Sequence, residues 1–441
     1  MALASAVSSD IKDILMNYIG TTFDDVITGT SANDSFSLFQ GGDDAVSGGA
    51  GNDTFFYGSS FTGLDIVDGG AGNDIIDLDG DYSAGVTFGG GNVTSVETLY
   101  LSSGHNYNLT DNDLASRGTL TVDASSLTAG NYVYFNASAV SGRITATGGA
   151  GIDVLWGGHG SDNLNGGGGA DQILPGSGSN TVNGGDGNDV VIFGTTDAFT
   201  ANDAINGGTG VDLLQITGNY TAPIVFTATT VTNVEDIHVT GGSYDITLND
   251  ANVANNAYMD ISGWGMTASQ SLVVRGGAET GGVLGLGGGD GADMLIAGAG
   301  NDWLGGEGGA DTLTGGAGYD IFSYEGGVTD STSANFDHVT DFNAAQDVFA
   351  LPETVTGVNA TVLGGALSLA TFDIQLATAV GAAQLGAYHA VLFEPTTGDQ
   401  HGHTFLVVDA NGIAGYQASQ DYVIDVSGMT GTLATADFTH T

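Results

Sequence analysis

The chain has 441 residues, with 51 aspartates and glutamates against four lysines and arginines, and its formal net charge is −47. A polymer this acidic is not expected to bind nucleic acid or an anionic membrane through its own charges, and it repels itself unless cations offset the charge. The hydrophobic share of 41% allows a core and the aromatic share of 8% argues against disorder, while the lack of cysteine excludes disulfides and a thiol nucleophile.

The first 19 residues predict a short amphipathic helix, capped by Ser9 or Asp10. The segment lacks the basic start and the continuous apolar stretch of a secretory signal peptide. The residues expected on the apolar face of the helix are Ile11, Ile14, Leu15 and Tyr18.

A unit of nine residues recurs along the chain, with glycines at its first positions, an acid or amide at its sixth and an apolar residue at its eighth. Five copies fill residues 148–192 without a break, and four fill residues 288–323. Weaker copies occupy residues 20–37 and 39–56, and single copies start at residues 69 and 207. The sixth-position carboxylates are those of Asp25, Asp34, Asp44, Asp53, Asp74, Asp153, Asp162, Asp171, Asp189, Asp212, Asp293, Asp302, Asp311 and Asp320.

This spacing predicts calcium sites. Glycine permits the backbone bends that turn carbonyl oxygens towards one point, and aspartate supplies the charged oxygen that a hard cation needs. The last three residues of a unit form a short strand whose middle side chain points inward. Each unit is then half a coil, and its carboxylate lies beside the turn two units later, with calcium in the gap. The candidate glycine ligands, at the second and fourth positions, are Gly149, Gly151, Gly158, Gly160, Gly167, Gly169, Gly185, Gly187, Gly289, Gly291, Gly298, Gly300, Gly316 and Gly318.

The units resemble the GGxGxDxUx nonapeptide of the repeats-in-toxin (RTX) family, a calcium-binding repeat. The resemblance implies a parallel β-roll with several Ca²⁺ ions between successive turns. A flexible linker rich in glycine and aspartate is the alternative, but a linker does not keep an aliphatic residue in phase over five consecutive copies. Asn180 replaces an aspartate and Glu307 replaces a glycine, so we expect weaker or empty sites at those turns.

Two longer modules, residues 69–147 and 207–287, separate the repeat runs and resemble each other. Their apolar residues alternate over short stretches, which predicts further coils of a β-solenoid without calcium. A separate small sandwich in each module is the alternative, because a module of this length could bury a modest core. The matched positions are Val96 with Val234, Glu97 with Glu235, and Tyr107 with Tyr244.

The pattern changes after Ser323. The following segment resembles the acidic closing motif of RTX rolls, in which Asp337, Asp341 and Asp347 would meet the last turns. Residues 404–433 resemble the C-terminal hairpins of type I secreted proteins and would cover the open end of the roll. The RTX resemblance also implies a type I exporter that recognises the C-terminus, with residues 434–441 as the candidate tail. The most apolar stretch, residues 374–393, contains two glutamines, a histidine and two glycines, so it predicts a buried helix and no membrane span.

No catalytic residue is predicted. The chain contains no H-E-x-x-H or G-x-S-x-G motif, and fewer than twenty residues precede the first repeat. His389, Asp399, His401 and His403 could hold zinc or copper, since an H-x-H pair in a loop can bind these metals. A polar hairpin loop is the simpler interpretation of the same residues.

The sequence therefore predicts an all-β chain of parallel β-roll blocks, continuous with β-solenoid modules and closed by a β-rich C-terminal cap. We expect a secreted, non-enzymatic calcium-binding protein that assembles with its own copies at the cell surface or in a matrix. The alternation of blocks and modules also looks like the C-terminal part of bacterial surface-layer proteins. An adhesin that binds cell-surface polysaccharide and, less favoured, a polysaccharide-modifying enzyme remain alternatives. The expected segments are a helix (1–19), a first roll (20–68), a module (69–147), a second roll (148–206), a second module (207–287), a third roll with its closing motif (288–350) and the cap with the secretion signal (351–441).

Overall fold

The computed structural model describes residues 16–89, 91–112 and 118–440. The chain divides into two compact units, one up to Gln215 and the other from Ile216 onwards. Both units consist almost entirely of short parallel strands stacked coil upon coil, which confirms the predicted parallel β-roll and β-solenoid.

The first unit contains strands β1 to β21. In chain order they are β1 (Asn17–Ile19), β2 (Val26–Thr28), β3 (Ser35–Ser37), β4 (Ala45–Ala50), β5 (Thr54–Tyr57), β6 (Ile66–Ala71), β7 (Ile75–Leu78), β8 (Tyr82–Phe88), β9 (Val93–Thr94), β10 (Thr98–Leu101), β11 (Tyr107–Asp111), β12 (Thr119–Asp123), β13 (Val133–Asn136), β14 (Arg143–Thr147), β15 (Val154–Trp156), β16 (Asn163–Gly168), β17 (Gln172–Leu174), β18 (Thr181–Asp186), β19 (Val190–Phe193), β20 (Ala204–Thr209) and β21 (Leu213–Thr217).

Each coil of this unit adds one strand to each of two faces. One face runs β1-β3-β5-β7-β10-β12-β14-β16-β18-β20, the other runs β8-β11-β13-β15-β17-β19-β21, and a smaller sheet runs β2-β4-β6-β9. In the second roll the register advances by two nonapeptides, so that Leu155 pairs with Ile173 and Leu164 with Val182. These eighth-position side chains are buried, as predicted, because alternate residues of a strand point to opposite faces.

The first module continues the coils of the first unit. Strands β11, β13 and β15 pair in parallel from the module into the second roll, as do β12, β14 and β16 on the other face. The separate sandwich considered as an alternative is therefore wrong. The alternating apolar residues of the module fill the same interior column as the aliphatic residues of the repeats.

The second unit contains strands β22 to β40 and one α-helix. The strands are β22 (Tyr220–Val225), β23 (Val231–Thr232), β24 (Asp236–Thr240), β25 (Tyr244–Thr247), β26 (Tyr258–Ser262), β27 (Leu272–Arg275), β28 (Val283–Gly289), β29 (Met294–Ile296), β30 (Trp303–Glu307), β31 (Thr312–Thr314), β32 (Ile321–Ser323), β33 (Asp337–Val339), β34 (Val348–Leu351), β35 (Gly357–Val358), β36 (Val362–Leu363), β37 (His389–Glu394), β38 (Phe405–Val408), β39 (Tyr422–Asp425) and β40 (Phe438–His440). Helix α1 spans Phe372–Ala379, and two 3-10 turns span Leu369–Thr371 and Thr435–Asp437.

The two faces of the second unit end in a cap. One face runs β24-β26-β28-β30-β32-β34-β40, and the other runs β22-β25-β27-β29-β31-β33-β39-β38-β37-β35. Strand β38 pairs antiparallel with both β37 and β39, whereas β33 and β39 pair in parallel. The antiparallel strands thus extend one face of the roll beyond its last coil, and they pack on α1 through an apolar cluster that includes Phe372, Leu376 and Phe405.

Two predictions about helices need correction. Residues 17–19 form strand β1, and the ring of Tyr18 stacks on Phe36 at 4.8 Å, so Tyr18 does not belong to a helix. The rest of that predicted helix, residues 1–15, lies outside the described residues. The stretch 374–393 is helical only up to Ala379 and then forms β37, because Gly381 and Gly386 interrupt it. Among the described residues, no helix is long and apolar enough to span a membrane.

The duplicated modules share two local features. The hydroxyl of Tyr107 donates to the carbonyl oxygens of Leu78 and Ser102 at 2.7 and 2.9 Å. The matched Tyr244 donates to those of Ile216 and Thr240 at 2.9 and 2.6 Å. In both modules the residue before the matched valine has a left-handed backbone, with φ of 53° at Ser95 and 49° at Asn233. The pairing of the two modules predicted from the sequence therefore extends to their hydrogen bonds and turns.

Candidate metal centre

The sixth-position carboxylates form ladders along the rolls. Oδ1 of Asp171 accepts the backbone N–H of Asp153 at 2.7 Å, and Oδ1 of Asp189 accepts that of Asp171 at 2.8 Å. Each carboxylate thus accepts a hydrogen bond from the backbone of the residue 18 positions earlier, in the coil before it. The backbone N–H of the same aspartate donates to the carboxylate of the next coil. A hydrogen bond from a backbone N–H to a carboxylate is charge-assisted, so the ladder favours an ionised aspartate at each rung.

Every roll carries two such ladders. In the first roll one ladder holds Asp34 and Asp53 and continues to Asp74 and Glu97 of the first module, and the other holds Asp25, Asp44 and Asp65. In the second roll one ladder holds Asp153, Asp171 and Asp189 and continues to Asp212 of the second module, and the other holds Asp162, Asn180 and Asp203. In the third roll they are Asp293, Asp311 and Asp337, and Asp302, Asp320 and Asp347.

Glycine is required at these turns for two different reasons. A side chain on Gly166, at the first position, would overlap Oδ2 of Asp171 and the carbonyl oxygen of Gly184. Gly167 and Gly169, at the second and fourth positions, have φ of 102° and 116°, a conformation that L residues rarely adopt. Carboxylate and carbonyl oxygens therefore crowd into one space at each turn, with no side chain between them.

Several ladder carboxylates have one oxygen with no partner. Among the described residues, Oδ2 accepts no hydrogen bond in Asp53, Asp74, Asp171, Asp189 and Asp320, although these side chains are buried. Burial raises the pKa of Asp74 to about 6 and those of Asp171 and Asp320 to about 7, because the charged form loses its hydration. A buried anionic oxygen beside carbonyl oxygens is unfavourable unless a cation lies among them.

At some rungs both polar atoms of the side chain have hydrogen-bond partners. Oδ2 of Asp153, in the first repeat of the second roll, accepts the N–H of Gly149 at 2.6 Å. At Asn180 the amide oxygen accepts the N–H of Asp162 at 3.0 Å, and Nδ2 donates to the carbonyl oxygen of Gly176 at 3.2 Å. Asn180 is thus a neutral rung whose polar groups are paired without an ion.

The oxygen-only lining of the turns fits calcium. Calcium takes six to eight oxygen ligands from carboxylates and backbone carbonyls, whereas zinc and copper favour nitrogen and sulfur. In the part of the chain that the structure describes, no three acidic, histidine or cysteine side chains group closely enough to hold a metal. An ion at these turns would therefore take most of its ligands from the backbone, with carboxylates from neighbouring coils.

The closing motif meets the last turns of the third roll. Oδ1 of Asp337 and of Asp347 accept the N–H groups of Asp311 and Asp320 at 2.9 and 3.1 Å. The two carboxylate oxygens of Asp341 accept the N–H groups of Gly315 and Gly316 at 3.0 and 2.8 Å. Burial and the charge of nearby Asp337 raise the pKa of Asp311, because carboxyl groups crowd together at this end of the ladder.

Three rungs were not predicted as ligands from the sequence, namely Asp65, Glu97 and Asp203. Asp203 lacks all the repeat glycines and Asp65 keeps only Gly63, at the fourth position, but each is followed two positions later by a buried apolar residue, Ile205 and Val67. That D-x-U half of the unit, at 21 to 23 residues from the previous rung, was the available signal.

Glu307 occupies the second-glycine position with a φ of 64°. This left-handed conformation is strained for a residue with a side chain. Burial, then the charges of Glu325 and Asp290, raises the pKa of its carboxyl group. The turn carries a larger side chain where a glycine was expected, and a weaker site there remains a prediction.

The histidines considered as metal ligands do not come together. His401 and His403 lie in the loop between β37 and β38, and Nδ1 of His403 contacts Oδ2 of Asp425 at 2.6 Å. His389 lies in β37, where its Nδ1 is 2.8 Å from Oδ1 of Asn359. Nδ1 of His401 lies 3.4 Å from the carbonyl oxygen of Pro395, so the three candidate histidines contact three different residues.

Comparison with known proteins places the repeats in a family. The family model for the RTX calcium-binding nonapeptide repeat matches residues 19–39, 40–60, 62–82, 145–173, 176–195 and 287–322. A search of the curated proteins finds no significant match. The matched segments contain most of the ladder residues of all three rolls, including Asp65, and these repeats bind Ca²⁺. The rolls of this chain therefore carry RTX calcium-binding nonapeptide repeats.

Proposed function

We propose that this protein is an exported, non-enzymatic structural protein whose coils are ordered by calcium outside the cell. The ladder aspartates and the second- and fourth-position glycines would supply the ligands. The observation that carries the proposal is the set of buried carboxylates with an oxygen that has no partner among the described residues, in a chain of net charge −47. Roughly a dozen divalent ions would offset about half of that charge.

Export fits the calcium requirement. Calcium sites of moderate affinity stay empty at cytosolic calcium concentrations and fill outside the cell. An acidic chain without filled sites repels itself, which favours an unfolded state suitable for passage through an exporter. We therefore propose a type I exporter as a partner and an extracellular or cell-surface location.

Self-association would use exposed strand edges. Strands β1 and β2 lie at the ends of their sheets within the described residues, so their outer backbone groups face no further strand. Phe23, which precedes β2, and Val26, its first residue, are 77% and 87% exposed. An exposed edge with apolar side chains favours pairing with another chain, and a second copy offers the same coil geometry.

Assembly is tested by sedimentation velocity and electron microscopy of the purified full chain, with 5 mM calcium chloride or with chelator. We expect larger species only in calcium. Val26→Asp should shift the distribution towards monomers without loss of bound calcium, while Thr28→Asp, at the other outward position of β2, is the matched control for added charge. Monomers of the wild-type protein at all calcium concentrations would contradict self-assembly.

Glycan binding is a second candidate, favoured by the outward face of the first unit. Thr98, Thr121, Thr145, Asn163 and Thr181 stand side by side in register on successive strands. This row of hydroxyl and amide groups is uncharged although the chain is strongly acidic, so it suits a neutral polysaccharide. Co-sedimentation of the monomeric Val26→Asp protein with insoluble neutral polysaccharides tests this candidate, since an adhesin would bind without assembling.

A further inference from the structure

Two aspartates face each other in the C-terminal cap, outside the repeats. Strands β38 and β39 pair antiparallel with Val408 opposite Tyr422, so the next residues towards the loop, Asp409 and Asp421, are also directly opposite. Their side chains are only 1% and 0% exposed. Like charges directly opposite on paired strands repel, and burial removes the water that would screen them.

The hydrogen bonds of this pair leave one carboxylate oxygen without a partner. Oδ1 of Asp409 accepts the N–H groups of Gly412 and Tyr388 at 2.6 and 3.0 Å. Oδ2 of Asp409 is buried and accepts no hydrogen bond from any described residue. Oδ2 of Asp421 accepts the N–H of Gln417 at 2.6 Å, and its Oδ1 accepts that of Ala410 at 3.2 Å.

Side-chain oxygens from the same hairpin loop lie close to Asp421. Nδ2 of Asn411 lies 3.0 Å from Oε1 of Gln417, 3.5 Å from Oε1 of Gln420 and 3.4 Å from Oδ1 of Asp421. Two amide oxygens and one carboxylate oxygen therefore accept hydrogen bonds from the amide group of Asn411, which an ion at this place would have to displace. Such a group of neutral and anionic oxygens is the ligand set that calcium prefers.

No lysine or arginine follows Arg275 in the sequence, so no such side chain of the cap can neutralise the pair. The charge has to be offset by a bound cation or by a proton. Burial, and then the charge of Asp409, raises the pKa of Asp421 to about 7, which shows how unfavourable two bare carboxylates are at this place.

We propose that Asp409 and Asp421, with the amide oxygens of the loop, form a calcium site in the cap that is independent of the RTX repeats. The ion would join the loop ends of β38 and β39. Through the bond from Tyr388 to Asp409 it would also fix the turn that precedes β37. Calcium then orders the end of the chain as well as the turns of the rolls.

Long-wavelength diffraction from crystals of the full chain grown in calcium chloride tests the site directly. We expect an anomalous peak about 2.3–2.6 Å from Oδ2 of Asp409 and from an oxygen of Asp421. Peaks at the repeat turns with none between these two aspartates would overturn the cap site while leaving the repeat sites intact. Absence of peaks at the turns with a peak here would instead contradict the proposed function.

Calcium counting by native mass spectrometry gives a second test. Asp421→Asn should bind one calcium ion fewer than the wild-type protein. Glu394→Gln, which removes an exposed acid from β37 in the same cap, should bind the same number. An unchanged count in Asp421→Asn would refute the site. If Asp421→Asn does not fold, the wild-type crystals still decide.

Discussion

Replacing Asp171 by asparagine should change stability in opposite directions with and without calcium. The chain contains the product of this change at another rung, because Asn180 keeps the hydrogen bond to the previous coil and its Nδ2 donates to a carbonyl oxygen at 3.2 Å. Asp171→Asn should therefore keep the ladder bond to Asp153. It removes the negative charge whose Oδ2 has no partner among the described residues.

The magnitudes follow from the two states of the turn. Without metal, the wild-type protein leaves a buried carboxylate oxygen unpaired, which costs about 1–3 kcal/mol or more, so the variant should be more stable by about that amount. With calcium at about 100 times the dissociation constant, loss of one ion should lower the free energy of unfolding by about 2.7 kcal/mol. The two effects have opposite signs and similar sizes.

Urea unfolding in calcium measures the loss. In chelator, the gain in stability of the variant is measured by the concentration of a stabilising osmolyte needed for folding, because osmolytes favour the folded state, in which more surface is buried. Asn180→Asp is the reverse change at a neighbouring rung and should show both effects with inverted signs. A decrease in stability for Asp171→Asn in both conditions would refute the assignment, since it would show that the carboxylate supports the fold without an ion.

The remaining predictions concern pH, glycine and the modules. In chelator, folding should be favoured as the pH falls from about 7.5 towards 5. The ladder carboxyl groups have folded-state pKa values of about 6 to 7, so they stabilise the fold below those values and lose that contribution above them. Circular dichroism measured against pH checks this. Gly167→Ala should lower the free energy of unfolding by more than about 1 kcal/mol, since the φ of Gly167 is 102° and an added Cβ would overlap the carbonyl oxygen of Gly149. Gly168→Ala is the control, because the nearest atom to its added Cβ is 3.7 Å away, and urea unfolding should show no such loss. Tyr107→Phe should lower the free energy of unfolding by about 1–2 kcal/mol, because the variant loses the hydrogen bonds to the two carbonyl oxygens. Tyr132→Phe is the control, since Tyr132 is more exposed, and equal urea midpoints for the two variants would contradict the prediction.

The repeats made the fold predictable in their own segments. A period of nine residues with one buried position fixes the strand, the turn and the pairing 18 residues away, as the pairing of Leu155 with Ile173 shows. The same periodicity predicted that Asp153 and Asp171, two units apart, lie at equivalent positions of neighbouring coils. In these segments the sequence pattern matches the geometry of one half-coil, so the pattern alone was enough to predict the strands and their pairing.

Prediction was weaker where the period breaks. Asp65 and Asp203 join the ladders without the first two glycines of a unit, so a search for nonapeptides did not find them. The closing residue Asp337 was found by resemblance, but the burial of Asp409 and Asp421 was not, because their environment arises from the antiparallel pairing of β38 and β39. Contacts between distant strands leave no periodic signal in the sequence.

A calcium titration of the chelator-treated full chain, followed by far-ultraviolet circular dichroism, tests the central claim most directly. We expect a cooperative gain of β-sheet signal with calcium at neutral pH. The same concentration of magnesium should give little signal, because magnesium demands a small octahedral shell and gives up its water reluctantly. A full β-sheet spectrum in chelator that calcium does not change would contradict the claim that calcium in the turns makes this fold stable.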